Sequence, residues 1–404
     1  MSGEAPKDWE TVCLDMVVDH VTEKWEPGEA RQPYVGLEHI GQGTGTLVGI
    51  SSSADVQSAK TPFRPGDILF GKLRPNLRKT AFVDFSGVAS TDILILRPRG
   101  MTPEFAFYRL SSEEVFEHAI RSAAGTKMPR TSWKDMAEFS FHLPPLHEQK
   151  RIAEILSSVD DAIAATRAVI EQTRKVRTAI LAALFPTDLR VGPVTGSDRF
   201  DGWTVEPASE ICSSIVDCKN RTPPTFDQGY AVVRTPNVRS GRFRPDGLQF
   251  TDRANFEVWT AKGLPGAGDI LFTREAPYGE VCLAPDLDFC LGQRMMFLRP
   301  DLSRVSPEFL LYALQSGAVK LEMFRRAGGS TVGHLRVGDV RELPLPVAPK
   351  PIQIRVAETL GSLDQSLDEN EASLKGMEAL KSALMADLLT GRKRVTDAMP
   401  IAAE

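Results

Sequence analysis

Two stretches of this 404-residue chain carry nearly the same sequence, about half the chain apart. HEQKRIAEILSSVDDAI begins at His147 and PIQIRVAETLGSLDQSL begins at Pro351, a constant shift of 204 positions. Upstream of each stretch stands the same pentapeptide, GDILF, at 66–70 and again at 268–272. Solenoid repeats have a period of only about 20 to 50 residues. The sequence therefore predicts a duplicated globular unit, each copy followed by a helix, with pseudo-twofold geometry.

Apolar residues recur every seven positions in both helical stretches, which is the pattern of a coiled coil. The polar exceptions within the two patterns coincide, because Thr166 aligns with Asn370 and Arg177 aligns with Lys381. Neither helix can bury its apolar stripe alone, and the most direct partner is the other copy, packed antiparallel. At 1.5 Å per residue each helix would extend roughly 55 to 60 Å. We expect a rigid spacer between the globular units.

Each globular unit has the pattern of a mixed α/β fold, in which short strands rich in β-branched and aromatic residues precede a helix. The predicted strands are 34–40, 67–70, 80–85 and 92–97, then 231–238, 269–273, 280–284 and 295–299. The predicted helices are 103–122 and 307–326, each with an N-terminal proline. The fold class is α+β, with two similar mixed α/β domains separated by two long antiparallel coiled-coil helices. The predicted bounds are 1–146 and 191–350 for the domains, 147–190 and 351–391 for the helices, and 392–404 for a tail.

Composition excludes several classes of protein. A hydrophobic content of 42% and a charged content of 25% are ordinary for a globular chain. No run of 18 apolar residues exists, so no transmembrane helix is predicted, and the polar first residues predict a cytoplasmic location. The five cysteines form no CxxC pair and the six histidines have no ligand spacing. We therefore expect neither a metal site nor a cofactor.

Basic residues are clustered although the net charge is −5. Residues 60–80 hold six basic residues and one acid, and residues 121–134 hold four basic residues and no acid. Residues 234–253 hold five arginines and two acids. A single cluster could be an ordinary solvated face, but clusters at corresponding places in two copies indicate a nucleic-acid surface. The sequences after GDILF differ, GKLRPNLRKT against TREAPYGEVC, as expected of one scaffold that reads two different targets.

The order of unit, helix, unit and helix resembles the DNA-specificity subunit of type I restriction–modification systems. The resemblance covers essentially the whole chain and is carried by LPPLHEQKRIAEILSSVDDAI, its weaker copy LPLPVAPKPIQIRVAETLGSLDQSL and the closing LLTGRKRV. It implies that each unit is a target-recognition domain for one half of a split site on double-stranded DNA. It also implies a non-catalytic subunit that acts in DNA methylation and phage defence, with no membrane partner.

The resemblance further implies that the helices set the spacing between the half-sites and dock two copies of an adenine-specific DNA methyltransferase (modification) subunit. An ATP-dependent restriction/translocase subunit is left open as a further partner. In one departure from the pattern, Ile352 stands where the first copy has Glu148. This difference predicts a less regular second docking surface.

Candidate DNA-binding residues are those whose side chains can contact phosphates or base edges. Arginine can bind guanine through two hydrogen bonds and asparagine can bind adenine in the same way. The candidates in the first domain are Lys72, Arg74, Asn76, Arg78, Lys79, Lys127 and Arg130. In the second domain they are Arg234, Asn237, Arg274, Tyr278, Arg294, Ser330, His334 and Arg336.

Two other functions remain as alternatives. A coiled-coil adaptor that does not touch DNA would share the helix pattern, and binding to duplex DNA would separate the two. A methyltransferase is disfavoured because the chain shows neither a cofactor-binding glycine motif nor a catalytic motif. The segment GQGTG at 41–45 resembles a glycine-rich cofactor loop, but no βαβ pattern surrounds it, and we interpret it as a turn.

Overall fold

The structure is a computed structural model that describes residues 6–28, 30–329 and 333–395, and the chain divides into two compact units. Unit 1 comprises Met1–Ala168 and Ala372–Glu404, and unit 2 comprises Val169–Glu371. Each long helix therefore contributes one segment to each unit, whereas the predicted domain bounds set the helices apart from the globular domains. The predicted tail from residue 396 onward lies outside the described residues.

Among its described residues, unit 1 contains ten short strands, five α-helices and the end of a sixth, the second long helix. The fifth helix runs on into unit 2. The strands are β1 Glu10–Cys13, β2 Val18–His20, β3 Pro33–Val35, β4 Ser51–Ser52, β5 Thr61–Phe63, β6 Ile68–Gly71, β7 Thr80–Phe82, β8 Gly87–Ala89, β9 Ile93–Pro98 and β10 Ser140–Leu143. The helices are α1 Leu14–Val17, α2 Pro103–Leu110, α3 Glu113–Arg121, α4 Trp133–Ala137 and α5 Leu146–Leu184.

The strands of unit 1 form two four-stranded sheets and one two-stranded sheet. Their orders are β2-β9-β6-β7, β4-β3-β8-β5 and β1-β10. Strands β3 and β8 pair in parallel, and the other pairs are antiparallel. The central strand β6 is buried along its whole length, which explains the apolar run of the GDILF motif. The unit is thus a mixed α/β domain, as predicted.

Unit 2 repeats this plan with twelve strands and six helices among its described residues. The strands are β11 Gly192–Pro193, β12 Thr204–Pro207, β13 Cys212–Asp217, β14 Tyr230–Val233, β15 Val238–Arg239, β16 Arg242–Phe243, β17 Gln249–Thr251, β18 Ile270–Thr273, β19 Val281–Leu283, β20 Phe289–Leu291, β21 Met295–Pro300 and β22 Pro344–Val347. The helices are α6 Ala208–Ile211, α7 Arg253–Thr260, α8 Pro307–Gln315, α9 Gly317–Arg326, α10 Val337–Arg341 and α11 Lys350–Leu388. The sheet β13-β21-β18-β19 corresponds to β2-β9-β6-β7 of unit 1.

The predicted helices over 103–122 and 307–326 are each two helices. The chain leaves the helical conformation at Ser112, whose ψ is 155°, and at Ser316, whose ψ is 148°. A serine in the extended region is a favoured N-cap, so each break starts the next helix. The predicted N-termini at Pro103 and Pro307 are confirmed.

A glutamine at the start of each long helix holds the same place in the two units. Gln149 Oε1 accepts from Thr102 N at 2.9 Å, and Gln353 Oε1 accepts from Ser306 N at 2.9 Å. Both glutamines are 1% exposed. The repeated glutamine therefore ties each long helix to the N-terminus of a shorter helix and is not a docking residue.

Within unit 1 the beginning of α5 packs against the end of α11. Ile152 and Leu156 share one core with Leu388 and Leu389. Farther along, Lys381 Nζ lies 2.6 Å from Asp160 Oδ1, so the two helix segments run antiparallel.

Unit 2 contains the complementary pairing, of the end of α5 with the beginning of α11. Leu181 shares one core with Val356 and Leu360. Arg177 Nε donates to Asp364 Oδ1 at 2.6 Å. Two of the four polar exceptions of the heptad pattern, Lys381 and Arg177, thus form corresponding ion pairs.

The difference between Glu148 and Ile352 has a local cause. Glu148 is 1% exposed and accepts from Trp9 Nε1 at 3.0 Å and from Arg394 Nε at 2.9 Å. In unit 2 the corresponding Trp203 Nε1 is buried without a hydrogen-bond partner. Glu148 therefore lies in the interior and is not part of a docking surface, so this difference gives no support to the prediction of a less regular second docking surface.

The described part of the chain contains no helix that is both long and apolar enough to cross a membrane.

The hydrogen bonds that Glu148 accepts lead to a prediction about the stability of unit 1. Replacement of Glu148 by alanine should lower the free energy of unfolding of unit 1 by about 1 to 3 kcal/mol, because it leaves the buried Trp9 Nε1 without an acceptor and Arg394 with Asp8 alone. Urea unfolding followed by tryptophan fluorescence would measure the change. Glu154→Ala, at an exposed position of the same helix, should change it by less than about 0.5 kcal/mol. Equal effects of the two substitutions would contradict the role of Glu148.

Candidate nucleic-acid interface

Two basic loops of unit 1 are joined through their backbones. We call residues 72–79 the turn loop and residues 123–131 the glycine loop. Thr131 N donates to Lys72 O at 3.1 Å, and Arg74 N donates to Pro129 O at 2.7 Å. The two sequence clusters of positive charge therefore form one surface.

The turn loop has a strained backbone. Arg74 has φ 52° and Arg78 has φ 51°, both in the left-handed region, on either side of a 3-10 turn at Pro75–Leu77. A left-handed residue other than glycine costs about 1 to 2 kcal/mol. Such residues persist where surrounding contacts determine the backbone, which is common at binding sites. The backbone of the turn is therefore held in one conformation, with Asn76 at its tip.

Three of the predicted residues in unit 1 already have intramolecular partners. Arg78 forms an ion pair with Glu113, and Arg130 Nε lies 3.1 Å from Asp92 Oδ1. The Lys79 ammonium donates to a backbone carbonyl at 2.6 Å. All three contacts stabilise the loops, and the charges of Arg78 and Arg130 are partly neutralised by their carboxylate partners.

The remaining predicted residues of unit 1 face solvent more openly. Arg74, Asn76 and Lys127 are exposed, and their side chains have neither an ion pair nor a hydrogen bond with another described residue. Lys72 is half-buried beside His20. Burial and the charge of Lys72 lower the pKa of His20, which favours its neutral form. The three exposed residues, Arg74, Asn76 and Lys127, are therefore the part of this surface most accessible to a ligand.

Unit 2 has the same backbone frame at the corresponding place. Arg274 N donates to Arg294 O at 2.9 Å, and Leu335 N donates to Arg274 O at 3.1 Å. In unit 1 the residue in this position is Lys72, whose N donates to Asp92 O at 3.0 Å. One hydrogen-bonded frame thus carries two different sets of loops.

Two predicted residues of unit 2 are buried and used internally. Asn237 is 0% exposed, and its Oδ1 accepts from Arg234 N at 3.0 Å while its Nδ2 donates to Arg244 O at 2.9 Å. Arg274 is 7% exposed, with its Nε 3.2 Å from Asp217 Oδ1. In this conformation neither head group is available to DNA, so the structure corrects the prediction for Asn237 and Arg274.

Two exposed candidates of unit 2, Arg294 and His334, pair with the same carboxylate, that of Glu275. Glu275 Oε2 lies 3.1 Å from Arg294 Nε, and Glu275 Oε1 lies 2.7 Å from His334 Nδ1. Arg336 is exposed, whereas Tyr278 is half-buried against the core. Ser330 lies outside the described residues. The surface of unit 2 therefore carries less uncompensated charge than that of unit 1.

A cation and aromatic cluster of unit 2 had no signal in the sequence. Lys219 Nζ lies 4.8 Å from the ring centre of Trp259, and the Arg221 guanidinium lies 5.2 Å from the same ring. Trp259 comes from α7, far along the chain from both cations, so no local motif could identify the group. Cation–π contacts of this kind stabilise by about 0.5 to 1 kcal/mol at exposed sites.

The arginine cluster at 234–253 is partly structural. Arg242 is half-buried, and its Nε lies 3.0 Å from Asp368 Oδ1 while its Nη1 lies 3.6 Å from Glu371 Oε2. It attaches the β15–β16 hairpin to α11. The net positive charge of this segment therefore overestimates the charge available to a ligand.

Unit 1 contains a cavity of about 670 Å³. The segment GQGTG borders it as a turn, which confirms the interpretation of that motif. Arg167 and Lys381, which also line the cavity, pair with the carboxylates Glu378 and Asp160. Among the residues that the structure describes, no group of three or more histidine, cysteine, aspartate or glutamate side chains could hold a metal ion.

The two candidate asparagines should respond differently to truncation. Asn237→Ala should lower the free energy of unfolding of unit 2 by about 1 to 3 kcal/mol, because it leaves buried backbone groups unpaired. Asn76→Ala should change stability by less than about 0.5 kcal/mol, because the side chain is exposed. Urea unfolding of both variants measures the difference, and a stable Asn237→Ala protein would show that the amide is not structural.

Similarity to known proteins agrees with this architecture. The family model described as "Type I restriction modification DNA specificity domain" matches residues 6–173 and 201–377. The type I restriction enzyme MjaVIII specificity subunit of Methanocaldococcus jannaschii is 23% identical over 413 residues, covering 96% of this chain and 94% of that protein.

Two solved structures share the fold. The type I restriction–modification S subunit from M. genitalium has a TM-score of 0.60 at 16% identity and covers 96% of this chain and 97% of its own. A structure from work on complex assembly and conformational transition of the type I R-M system also has a TM-score of 0.60, at 20% identity, covering 97% of this chain and 100% of its own. The chain therefore belongs to the family of type I restriction–modification DNA specificity proteins, which confirms the prediction of a recognition subunit rather than an enzyme.

Proposed function

We propose that this chain reads a bipartite DNA site, one half with each unit, within a type I restriction–modification complex. The observation that carries the proposal is the frame at Lys72 and Arg274, where the same backbone hydrogen bonds support different loops. Two readers that share a scaffold and differ in their loops can recognise two different half-sites.

The exposed residues of the two loop surfaces fit contacts to DNA. Arg74 and Lys127 can bind phosphates, which position a protein on DNA without reading its sequence. Arg294, His334 and Arg336 supply donors in unit 2. The half-buried cations hold the loops in place and contribute less to the affinity.

The long helices are the proposed spacer between the half-sites. Each contains 39 residues and, at 1.5 Å per residue, extends roughly 58 Å. Two half-sites read from one face of DNA lie about 34 Å apart for each turn of the duplex. A pair of helices can hold such a distance because each apolar stripe is covered by the other helix.

The proposed partners are two adenine-specific DNA methyltransferase subunits, which supply the chemistry in the cytoplasm. Apolar residues that remain exposed on the long helices support docking there: Val169 is 48% exposed, Ile354 is 56% exposed and Leu380 is 51% exposed. A restriction subunit that uses ATP would be a further partner of the assembled complex.

The half-site assignment can be tested by loop exchange in the complex with methyltransferase subunits. Replacing the turn loop and the glycine loop together by those of a relative should change one half of the methylated sequence and leave the other half intact. Sequencing of methylated sites gives the result. The controls are the wild-type complex and a protein with only the Glu257→Ala change, at an exposed position on α7. Changes in both halves would contradict one half per unit, and a wild-type complex that binds every sequence equally would favour the adaptor function.

The spacer role leads to a separate prediction. Deleting residues 168–174 and 371–377 removes one heptad from each helix, including both partners of the Arg174–Glu371 ion pair. The helices would become about 10 Å shorter, so the spacing of the half-sites should change or methylation should be lost. Methylation sequencing measures both outcomes, with Glu171→Ala, at an exposed position of α5, as a variant of unchanged length. An unchanged site after the deletion would exclude the helices as the ruler.

A further inference from the structure

The strained turn of unit 1 presents one carboxamide side chain, Asn76. Leu77 N and Arg78 N each donate a hydrogen bond of 2.9 Å that closes the turn around it. Within the turn loop and the glycine loop, Asn76 is the single residue whose side chain carries both an amide donor and a carbonyl acceptor.

Contacts with other segments fix the turn without using the Asn76 side chain. Arg74 N donates to Pro129 O at 2.7 Å, and Gly43 N donates to Arg78 O at 3.1 Å. Pro75 is buried beneath the turn. The backbone of the tip is therefore preorganised, and a ligand need not order it on binding.

The Asn76 side chain is left available by these contacts. It is exposed and makes no hydrogen bond with any other described residue. Asn237 of unit 2 differs on both counts, since it is buried and its amide is satisfied within its own loop. An exposed carboxamide on a fixed turn, in a pair of joined loops that also carries the unpaired cations Arg74 and Lys127, is suited to a ligand that offers both donors and acceptors beside negative charge.

A duplex carries these groups in the major groove. Adenine presents the N7 acceptor next to the N6 amino donor, and a carboxamide can bind both at once. Arginine and lysine can only donate, so they bind guanine edges or phosphates. We infer that Asn76 is a base-reading residue of unit 1 and recognises an adenine in its half-site, with Arg74 and Lys127 on the flanking phosphates. This inference rests on the proposed function.

Selection from randomised duplexes by the assembled complex tests the inference. Asn76→Ala should lower the preference for an A·T pair at one position of one half-site by about 10- to 100-fold. The other half-site should keep every preference. Arg74→Ala is the matched control on the same turn: it should weaken binding to all sequences alike and reduce the slope of log affinity against log salt by about 1.

A modified base separates direct contact from an effect on the loop. Replacing the recognised adenine by 7-deazaadenine removes the N7 acceptor. It should weaken binding by the wild-type complex several-fold and leave binding by the Asn76→Ala complex unchanged, because that variant lacks the donor.

Three results would overturn the inference. These are an Asn76→Ala complex that keeps every base preference, a preference lost at a G·C pair, and a 7-deazaadenine effect of equal size in both complexes. If the wild-type complex itself showed no preference in either half-site, the proposed function would fail as well. A specific wild-type complex with an unchanged Asn76→Ala variant would remove only the role of Asn76.

Discussion

The core of each unit is completed by a helix segment from a distant part of the chain. In unit 1, Ile152 and Leu156 near the start of α5 pack with Leu388 and Leu389 near the end of α11. Burial of one such side chain stabilises by about 1.5 to 3 kcal/mol, so the unit depends on a segment more than 200 positions away. The N-terminal unit therefore cannot complete its core until the C-terminal helix has been added.

Apolar stripes alone would allow the two helices to slip by a heptad, and polar contacts fix the register. Tyr108 Oη donates to Asp160 Oδ2 at 2.9 Å, and Lys381 reaches the same carboxylate. Tyr312 and Arg177 do the same at Asp364. Burial and the adjacent carboxylate raise the pKa of both tyrosines, so that each stays a donor. The same arrangement, formed with lysine in one unit and arginine in the other, explains why the polar breaks at Arg177 and Lys381 coincide.

The duplicated frame separates what is shared between the units from what differs. Gln149 and Gln353 make equivalent hydrogen bonds. Glu148 and Ile352 occupy equivalent positions but differ in their contacts, because Glu148 accepts hydrogen bonds and Ile352 packs against the apolar core. The arginine that meets Glu148 is Arg394; at the corresponding position of unit 2, Arg190 pairs instead with the nearby Asp188 at the surface. Unit 2, which lacks the buried acid, thus also has the corresponding arginine at the surface. Interior changes of this kind leave the frame intact, and variation in the loops can alter recognition without changing the fold.

The sequence by itself determined the duplication, the heptad helices, the buried GDILF strand and the α+β class, because these follow from periodicity and from residues adjacent in the chain. Only the tertiary structure decided which side chains remain available. Asn76 and Asn237 are the same residue type in basic loops, yet one is exposed and the other is sealed by its own turn. Likewise, the acids that neutralise Arg78 and Arg242 come from other elements of the fold. Burial and ion pairing depend on contacts between segments far apart in the chain, and no local pattern of residues records them.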